Sequence, residues 1–352
     1  AWQLAGLPEA RRELGVDHVV TGYAEGNAAA VLGALARGEA LPEVIAGEGV
    51  PAAAIPAIRG ASTMGVVEIS RGCGLGCGFC TIARVPMIHL PEETVAADAA
   101  TNVAAGQTSI AALSEDLFRY GAEGLTANPG RLLSLLARLR HIEGLRLIQV
   151  DHANLTSVAQ YSDTELIAVH RLLVGANRHR YLWVNVGVET PSGSLLRANG
   201  GGAKMGRLAD GAWGEFCAEQ VRRLCRAGFF PMASLVLGLP GERAEHVRRA
   251  LAWVDALKRE RLSIFPVAYA PVDGSAGIGR GDLSRSHWEL MRACYRLNFR
   301  WIPRMYWDNQ AGAGVSLAKR LAIRALGQGQ VAQWRALFAS HARRAGAWES
   351  EE

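Results

Sequence analysis

Between residues 65 and 271 the chain repeats one pattern: a short apolar run rich in β-branched residues, then a longer segment with apolar residues at helical spacing. The runs are GVVEIS (65–70), SIAAL (109–113), LRLIQV (145–150), YLWVNVGVET (181–190), PMASLVLGLPGE (231–242, a strand and its turn) and LSIFPVAYAP (262–271). The segments between them, such as LPEETVAADAATNVAAG (90–106) and SDTELIAVHRLLVGA (162–176), carry helix start and stop signals: Pro91 with acids behind it, Ser162 or Asp163 as a cap, and a glycine at the end of the first. Strands alternating with helices require a parallel sheet with right-handed crossovers, because each helix returns the chain to the same end of the sheet. Ligands in such folds gather at the carboxyl ends of the strands, which sets a geometric test for every polar group that follows a strand. Six units are fewer than the eight of the usual closed barrel.

With 352 residues, 49% hydrophobic and 20% charged, the chain has the make-up of a globular protein of about two domains. The net charge is +5, but the arginines (Arg131, Arg138, Arg140, Arg222, Arg223) are scattered along helical segments. They read as solvated helix faces rather than a nucleic-acid site. No apolar run approaches the roughly 18 residues needed to span a bilayer. The opening AWQLAGLPEARREL has acids and arginines where a secretory signal needs an apolar core, so no membrane partner and a cytoplasmic location are expected. The sequence starts at Ala1, which suggests a fragment or a processed product.

The octet CGLGCGFC (73–80) puts Cys73, Cys77 and Cys80 within eight positions, with Gly74, Gly76 and Gly78 between them. Glycine removes side-chain obstruction and permits left-handed backbone, so such a loop can wrap tightly around one metal centre. Structural zinc wants four protein ligands, and the nearest further candidate is His89, nine residues past Cys80. A [4Fe–4S] cluster held by three thiolates keeps one iron open to an outside ligand. Cys217, Cys225 and Cys294 lie far apart in helical segments and read as buried, inert thiols.

The octet, with Phe79 before its last cysteine, resembles the cluster loop of the radical S-adenosylmethionine (SAM) superfamily. The resemblance covers about residues 61–275. It implies an α/β fold built on a partial (β/α)6 TIM-like barrel, a [4Fe–4S] cluster on Cys73, Cys77 and Cys80, and SAM on the open iron. One electron from the cluster then splits SAM into methionine and a 5′-deoxyadenosyl radical, with flavodoxin or ferredoxin as the type of electron donor. It also implies roles for residues at the strand ends. Leu113-Ser114-Glu115 stands where the family often has Gly-Gly-Glu; Ser114 and the surviving acid Glu115 are candidates to hold the SAM amino group, or else a helix cap. Asp151-His152 and Asn154 follow the third strand, and His152 is a candidate to move a proton or touch substrate, against a structural hydrogen bond. Glu189 in GVET approaches the SAM ribose and methionine carboxylate in resembling families, with Arg197 as a carboxylate partner or the two as a structural pair. Val236, Leu237 and Gly238 stand where the family's backbone lies along adenine. GGGAKMG (200–206) fails as a phosphate loop, because Lys204 is followed by Met205, and reads as a flexible loop over the barrel mouth.

Three regions follow. Residues 1–60 hold a strand (GVDHVVTG), a helix (NAAAVLGALARGE) and a connector. They are similar to the C-terminal part of the cobalamin-binding, Rossmann-like domain of one radical SAM branch. Asp17-His18 and Gly22 lack that branch's Asp-x-His-x-x-Gly spacing, so either the front of the domain is missing or cobalamin is not bound in the usual way. Residues 61–282 form the radical SAM core. Residues 283–352 read as three helices (284–302, 316–327 and 330–346) ending in the acidic tail ESEE; Trp301, Tyr306 and Trp307 serve core packing or cap the barrel. The expected function is reductive cleavage of SAM, with carbon methylation if cobalamin is present and a small molecule or peptide as substrate. The alternatives are methylthiolation of RNA or protein, against which residues 1–60 offer no cysteine for a second cluster, and a non-catalytic zinc or iron–sulfur protein.

Overall fold

The computed structural model describes residues 2–176, 181–271, 275 and 277–348, and the strand–helix repeat is present in it. Strands β1 (Val19–Thr21) and β2 (Val44–Ala46) pair in parallel across helix α1 (Ala28–Ala36), one β-α-β unit in the amino-terminal segment. The repeat begins with β3 (Val66–Glu68), and the cysteine loop is then closed at its base by an antiparallel clip of β4 (Ser70–Arg71) on β5 (Ile88–His89). There follow α2 (Glu92–Ala104), β6 (Ser109–Leu113), α3 (Pro129–Arg140), β7 (Leu147–Val150), β8 (His152–Ala153) and α4 (Asp163–Val174). The rest is β9 (Leu182–Glu189), α5 (Trp213–Ala227), β10 (Phe229–Leu237), α6 (Ala244–Ala256), β11 (Ser263–Ala268), α7 (Arg285–Gly312) and α8 (Leu317–Trp348).

This is a mixed α/β fold. Apart from the β4–β5 clip, the strands of the repeat pair in parallel and in chain order, but in two hydrogen-bonded sheets, β3-β6-β7 and β8-β9-β10-β11, rather than one. The third strand changes sheets at Asp151, whose carbonyl accepts from the Asn185 amide at 3.0 Å. The local chemistry is that of the sequence signals. Ser162 and Glu165 form a capping box on α4, Asn128 caps α3 with Pro129 in its first turn, and Gly228 ends α5 at φ 104°, where a side chain would strike the His170 ring. Leu132, Leu135, Leu136 and Leu139 of α3 and Val184, Val186 and Val188 of β9 belong to one continuous core. Along β9 those buried residues alternate with the half-buried Asn185, Gly187 and Glu189, so one face of the strand packs on helices and the other faces a cavity.

The carboxyl-terminal region departs from expectation. Helix α7 runs through Pro303, and α8 continues through Gly327 and Gly329, giving two long helices instead of three. Each interior glycine costs about 1 kcal/mol, but α8 is held against α7 on both sides of them. Arg320 lies over Trp307, Phe338 against Tyr295, and His341 stacks on Trp288. Trp301 packs near Tyr181, Phe230 and Met305 at the amino ends of β9 and β10, while Tyr306 is exposed. The tail ESEE lies outside the described residues. No described helix is long and apolar enough to cross a membrane.

Candidate functional site

The cysteine loop is ordered by its own backbone. Cys73 N donates to Val85 O (3.0 Å) and Gly76 N to Ala83 O (2.9 Å). Gly72, Gly74 and Gly76 have φ of 73°, 71° and 73°, the left-handed region that glycine enters without strain. At Gly72 a side chain would also overlap the Val85 and Pro86 carbonyl oxygens. Gly78 is different from the expectation: its φ is not positive, and its use is close approach, with its amide donating to Asn199 O at 2.9 Å. A buried arginine serves the loop: Arg119 donates from Nη1 to Cys73 O at 2.8 Å. The result places Cys73, Cys77, Phe79 and Cys80 on one wall of a cavity of about 440 Å³.

The opposite wall is made by alternate residues of β9 and β10: Asn185, Gly187 and Glu189 from one, Met232 and Ser234 from the other, with Phe265 of β11 beside them. Glu189 has φ 64°, an outlier for a non-glycine residue, at the point where the β9–β10 register shifts. Its carboxylate receives hydrogen bonds from Lys204 Nζ (2.7 Å) and Ser234 Oγ (3.1 Å). A side chain at Gly187 would overlap both the carboxylate and the ammonium, so that glycine is the cradle of the pair. Burial alone would lower the Lys204 pKa, but Glu189 outweighs it and the ammonium is held above its ordinary value. Burial pushes the Cys77 thiol up to about 11, with Lys204 pulling the other way.

The glycine-rich stretch around Lys204 is not the flexible loop expected over the mouth. It is a tight helical turn, Gly202–Met205, with Lys204 and Met205 buried. Gly200 packs backbone to backbone on Gly76 and Gly78 of the cysteine loop, which only a glycine there allows. Lys204 is therefore a site residue absent from the candidates that the sequence offers by motif. One signal for it exists: the chain uses 35 arginines and only three lysines, and one of the three stands within a glycine-rich stretch.

Strands two and three bring the other groups. Glu115 and His152 line the cavity, as does Asn154, whose Oδ1 is buried with no partner. Ser114 is buried and shares a 2.6 Å hydrogen bond with Ser70 Oγ, tying the strand end to the clip below the cysteines; it caps no long helix. Asp116 is wholly buried, pushed up to about 6 by that burial and held by Ser157 Oγ (2.5 Å) and the Asn154 amide (3.0 Å), a scaffold rather than a cavity group. His152 Nδ1 lies 3.0 Å from Asp151 Oδ1, and this hydrogen bond raises its pKa above the usual 6.5.

Several sequence candidates lie elsewhere. Arg197 is exposed and pairs with Asp210 (2.8 Å), so it is Lys204, not Arg197, that meets Glu189. Val236 shares the cavity-facing side of β10 by alternation but lies beyond the lining residues. Gly238, φ 77°, is covered by Ile278, and its amide donates to Glu242 Oε2 at 2.8 Å. His89 packs edge-on against Tyr120 outside the cavity, and Cys217 and Cys294 are buried in the core.

The donor set fits an iron–sulfur cluster. Three cysteines face one cavity, and their loop admits no side chain at Gly72 and runs left-handed at three glycines. Among the described residues no three His, Cys, Asp or Glu side chains are gathered around a single ion. A cluster asks for no such convergence, because it spreads its thiolates over separate irons.

The sequence relatives, like the cysteine loop, support a likeness to the radical SAM superfamily. Those relatives include the ribosomal protein uS12 methylthiotransferase RimO of Anaeromyxobacter sp. (strain Fw109-5), 31% identical over 216 residues, 59% of this chain and 41% of the relative. RimO of Alkaliphilus oremlandii is 26% identical over 218 residues, 61% of this chain and 45% of that protein. The chain thus spans less than half the length of these two curated relatives. Among solved structures, the radical SAM methyltransferase TsrM from Kitasatospora setae, with cobalamin and a [4Fe–4S] cluster bound, aligns with a TM-score of 0.44 at 18% identity, over 58% of this chain and 37% of that one. No family model matches the chain.

Proposed function

We propose that the cavity holds a [4Fe–4S] cluster on Cys73, Cys77 and Cys80 together with SAM, and that the chain cleaves SAM reductively. The observation that carries this reading is the convergence of three cysteines, Glu115, His152 and the Glu189–Lys204 pair on one cavity at the carboxyl side of parallel strands. When bound, the cluster would supply the single electron that breaks a carbon–sulfur bond of SAM, giving methionine and a 5′-deoxyadenosyl radical. The protein's part is binding and orientation. Glu115 offers a carboxylate to the amino group of SAM, and Lys204, already desolvated, offers an ammonium to its carboxylate. Glu189, itself held by Ser234, fixes Lys204, and Phe79, Met232 and Phe265 exclude water from the reacting centre. We read the two parallel sheets as arcs of one partial (β/α)6 barrel, residues 61–282 as the core, and residues 1–60 as the end of a Rossmann-like unit. A flavodoxin- or ferredoxin-type donor supplies the electron.

What the radical is used for has two readings. Methylthiolation of a protein, of the kind named for RimO, is favoured by the sequence relatives. Cobalamin-dependent methylation is favoured by the β1-α1-β2 unit joined to the core through Arg71. The test is anaerobic reconstitution with iron and sulfide, then SAM and dithionite, with and without cobalamin, identifying the nucleoside by mass. 5′-Deoxyadenosine that disappears in Cys77→Ala is the expected result. A reconstituted protein that holds zinc without iron, or holds iron yet yields no nucleoside, overturns the proposal.

A further inference from the structure

Helices α7 and α8 carry charge that the rest of the chain does not. Residues 285–344 hold eleven lysines and arginines against two acids, Glu289 and Asp308, while the whole chain has a net charge of only +5. The remainder is therefore net acidic, and the positive charge is placed rather than spread. Arg292, Arg296, Arg300 and Arg304 recur every four residues, which sets them along one side of α7, and all four are exposed. None forms an ion pair with a described residue, unlike Arg285 at the start of the same helix, which pairs with Glu289.

The stripe is flanked by two clefts that share Arg300. One, of about 610 Å³, lies at the amino ends of β9 and β11 and is lined by Tyr181, Arg261, Trp301, Trp307 and Arg324 among others. The other, of about 740 Å³, lies between α6 and α7 and includes Arg248, Arg296 and the paired Lys258 and Asp255. Indoles and guanidiniums alternate here. Arg300 and Arg304 lie 5.4 and 5.3 Å from the Trp301 ring, and Arg320 and Arg324 lie 3.9 and 5.1 Å from Trp307.

We propose that this face is a docking track for single-stranded RNA, whose phosphates meet the arginine stripe and whose bases stack among the indoles and guanidiniums. An anionic membrane would also attract the charge, but an interfacial helix needs one apolar face. The exposed Ile323, Leu326, Trp334 and Leu337 share one side of α8, but the exposed Lys319, Gln330 and Gln333 interrupt that side, so no continuous apolar face is presented. The track lies at the amino ends of the strands and the cavity toward their carboxyl ends, so RNA held here is positioned, not transformed. The inference does not depend on the chemistry assigned to the cavity.

Fluorescence anisotropy of the full chain with a labelled 15-nucleotide single-stranded RNA, across a salt series, tests it. Arg296→Glu/Arg300→Glu/Arg304→Glu is expected to weaken binding at least tenfold and to reduce the salt slope by about 2, at roughly 0.7 for each phosphate no longer neutralised. Trp307→Ala is expected to weaken binding about fivefold or more at an unchanged slope, because stacking releases no counterions. Circular dichroism melts of both variants establish that they are folded. Wild-type chain that ignores the RNA, that binds phosphatidylserine vesicles in its place, or whose binding survives the triple reversal overturns the proposal.

Discussion

Lys204 Nζ lies 2.7 Å from Glu189 Oε1 although the two are 15 positions apart in the chain, and both side chains are largely removed from water. A buried ion pair adds little net stability over an apolar pair, but removing one partner strands the other charge. Lys204→Met is therefore expected to lower unfolding stability by about 3–5 kcal/mol, seen as a reduced urea midpoint. Lys204→Met/Glu189→Gln should recover part of that loss. Equal midpoints for the single and double variants would show that the two groups are not coupled.

Glu115 is the acid that survives from the expected strand-end motif, and it faces the cavity from the strand next to the cysteine loop. Losing one charge-assisted hydrogen bond costs about 1.5–3 kcal/mol, or roughly 10- to 100-fold in affinity. Glu115→Ala should weaken SAM binding by that factor in equilibrium dialysis while iron and sulfide content stay at the wild-type level. A parallel loss of iron would assign the residue to holding the loop instead.

The strands were legible because each is short, β-branched and bounded by turn residues; SIAAL is found as a strand over the same five residues, 109–113. The cysteine wall was legible because spacing alone brings three thiolates together. The Glu189–Lys204 pair was not, since it depends on Gly200 seating against Gly76 and Gly78, a backbone contact that leaves no periodic trace. Arg197 was a reasonable partner by charge and position, but the short helix that carries it, Gly193–Ala198, turns it outward to Asp210. The third carboxyl-terminal helix failed for the opposite reason. Gly327 and Gly329 look like a stop, and only contacts with α7 on both sides override them.

His152 and Asp151 give a prediction in pH. The hydrogen bond that the imidazole donates to Asp151 raises its pKa, so more of His152 is protonated near neutrality than in the unfolded chain. Its contribution to stability is thus fully present below the ordinary value of about 6.5 and is lost as pH rises through the folded value. Asp151→Asn should move the imidazole midpoint down toward 6.5, followed by the Cε1–H resonance in an NMR titration. A midpoint that stays raised in that variant would place the cause in other carboxylates, Glu115 or Glu189.

Arg71, two residues before Cys73, ties the amino-terminal unit to the cysteine loop. It is 7% exposed, hydrogen-bonds Glu25 Oε1 at 2.5 Å and Glu68 Oε1 at 2.8 Å, and lies 4.2 Å from the centre of the Tyr23 ring. Burial alone would raise the Glu25 pKa, but the hydrogen bond from Arg71 holds the carboxyl below its ordinary value. A guanidinium with two acids and an aromatic face is satisfied only while residues 19–46 stay docked. Arg71→Met leaves both carboxylates without their cation, so the amino-terminal unit should open more often. Hydrogen exchange of β1, α1 and β2 is expected to accelerate at least tenfold, while that of β9 and β10 is unchanged. Cluster loading should fall with it, because the same residue forms the base of the loop in β4. Acceleration spread evenly over the whole chain would mean that Arg71 supports the core at large and that the two units are not separately hinged on it.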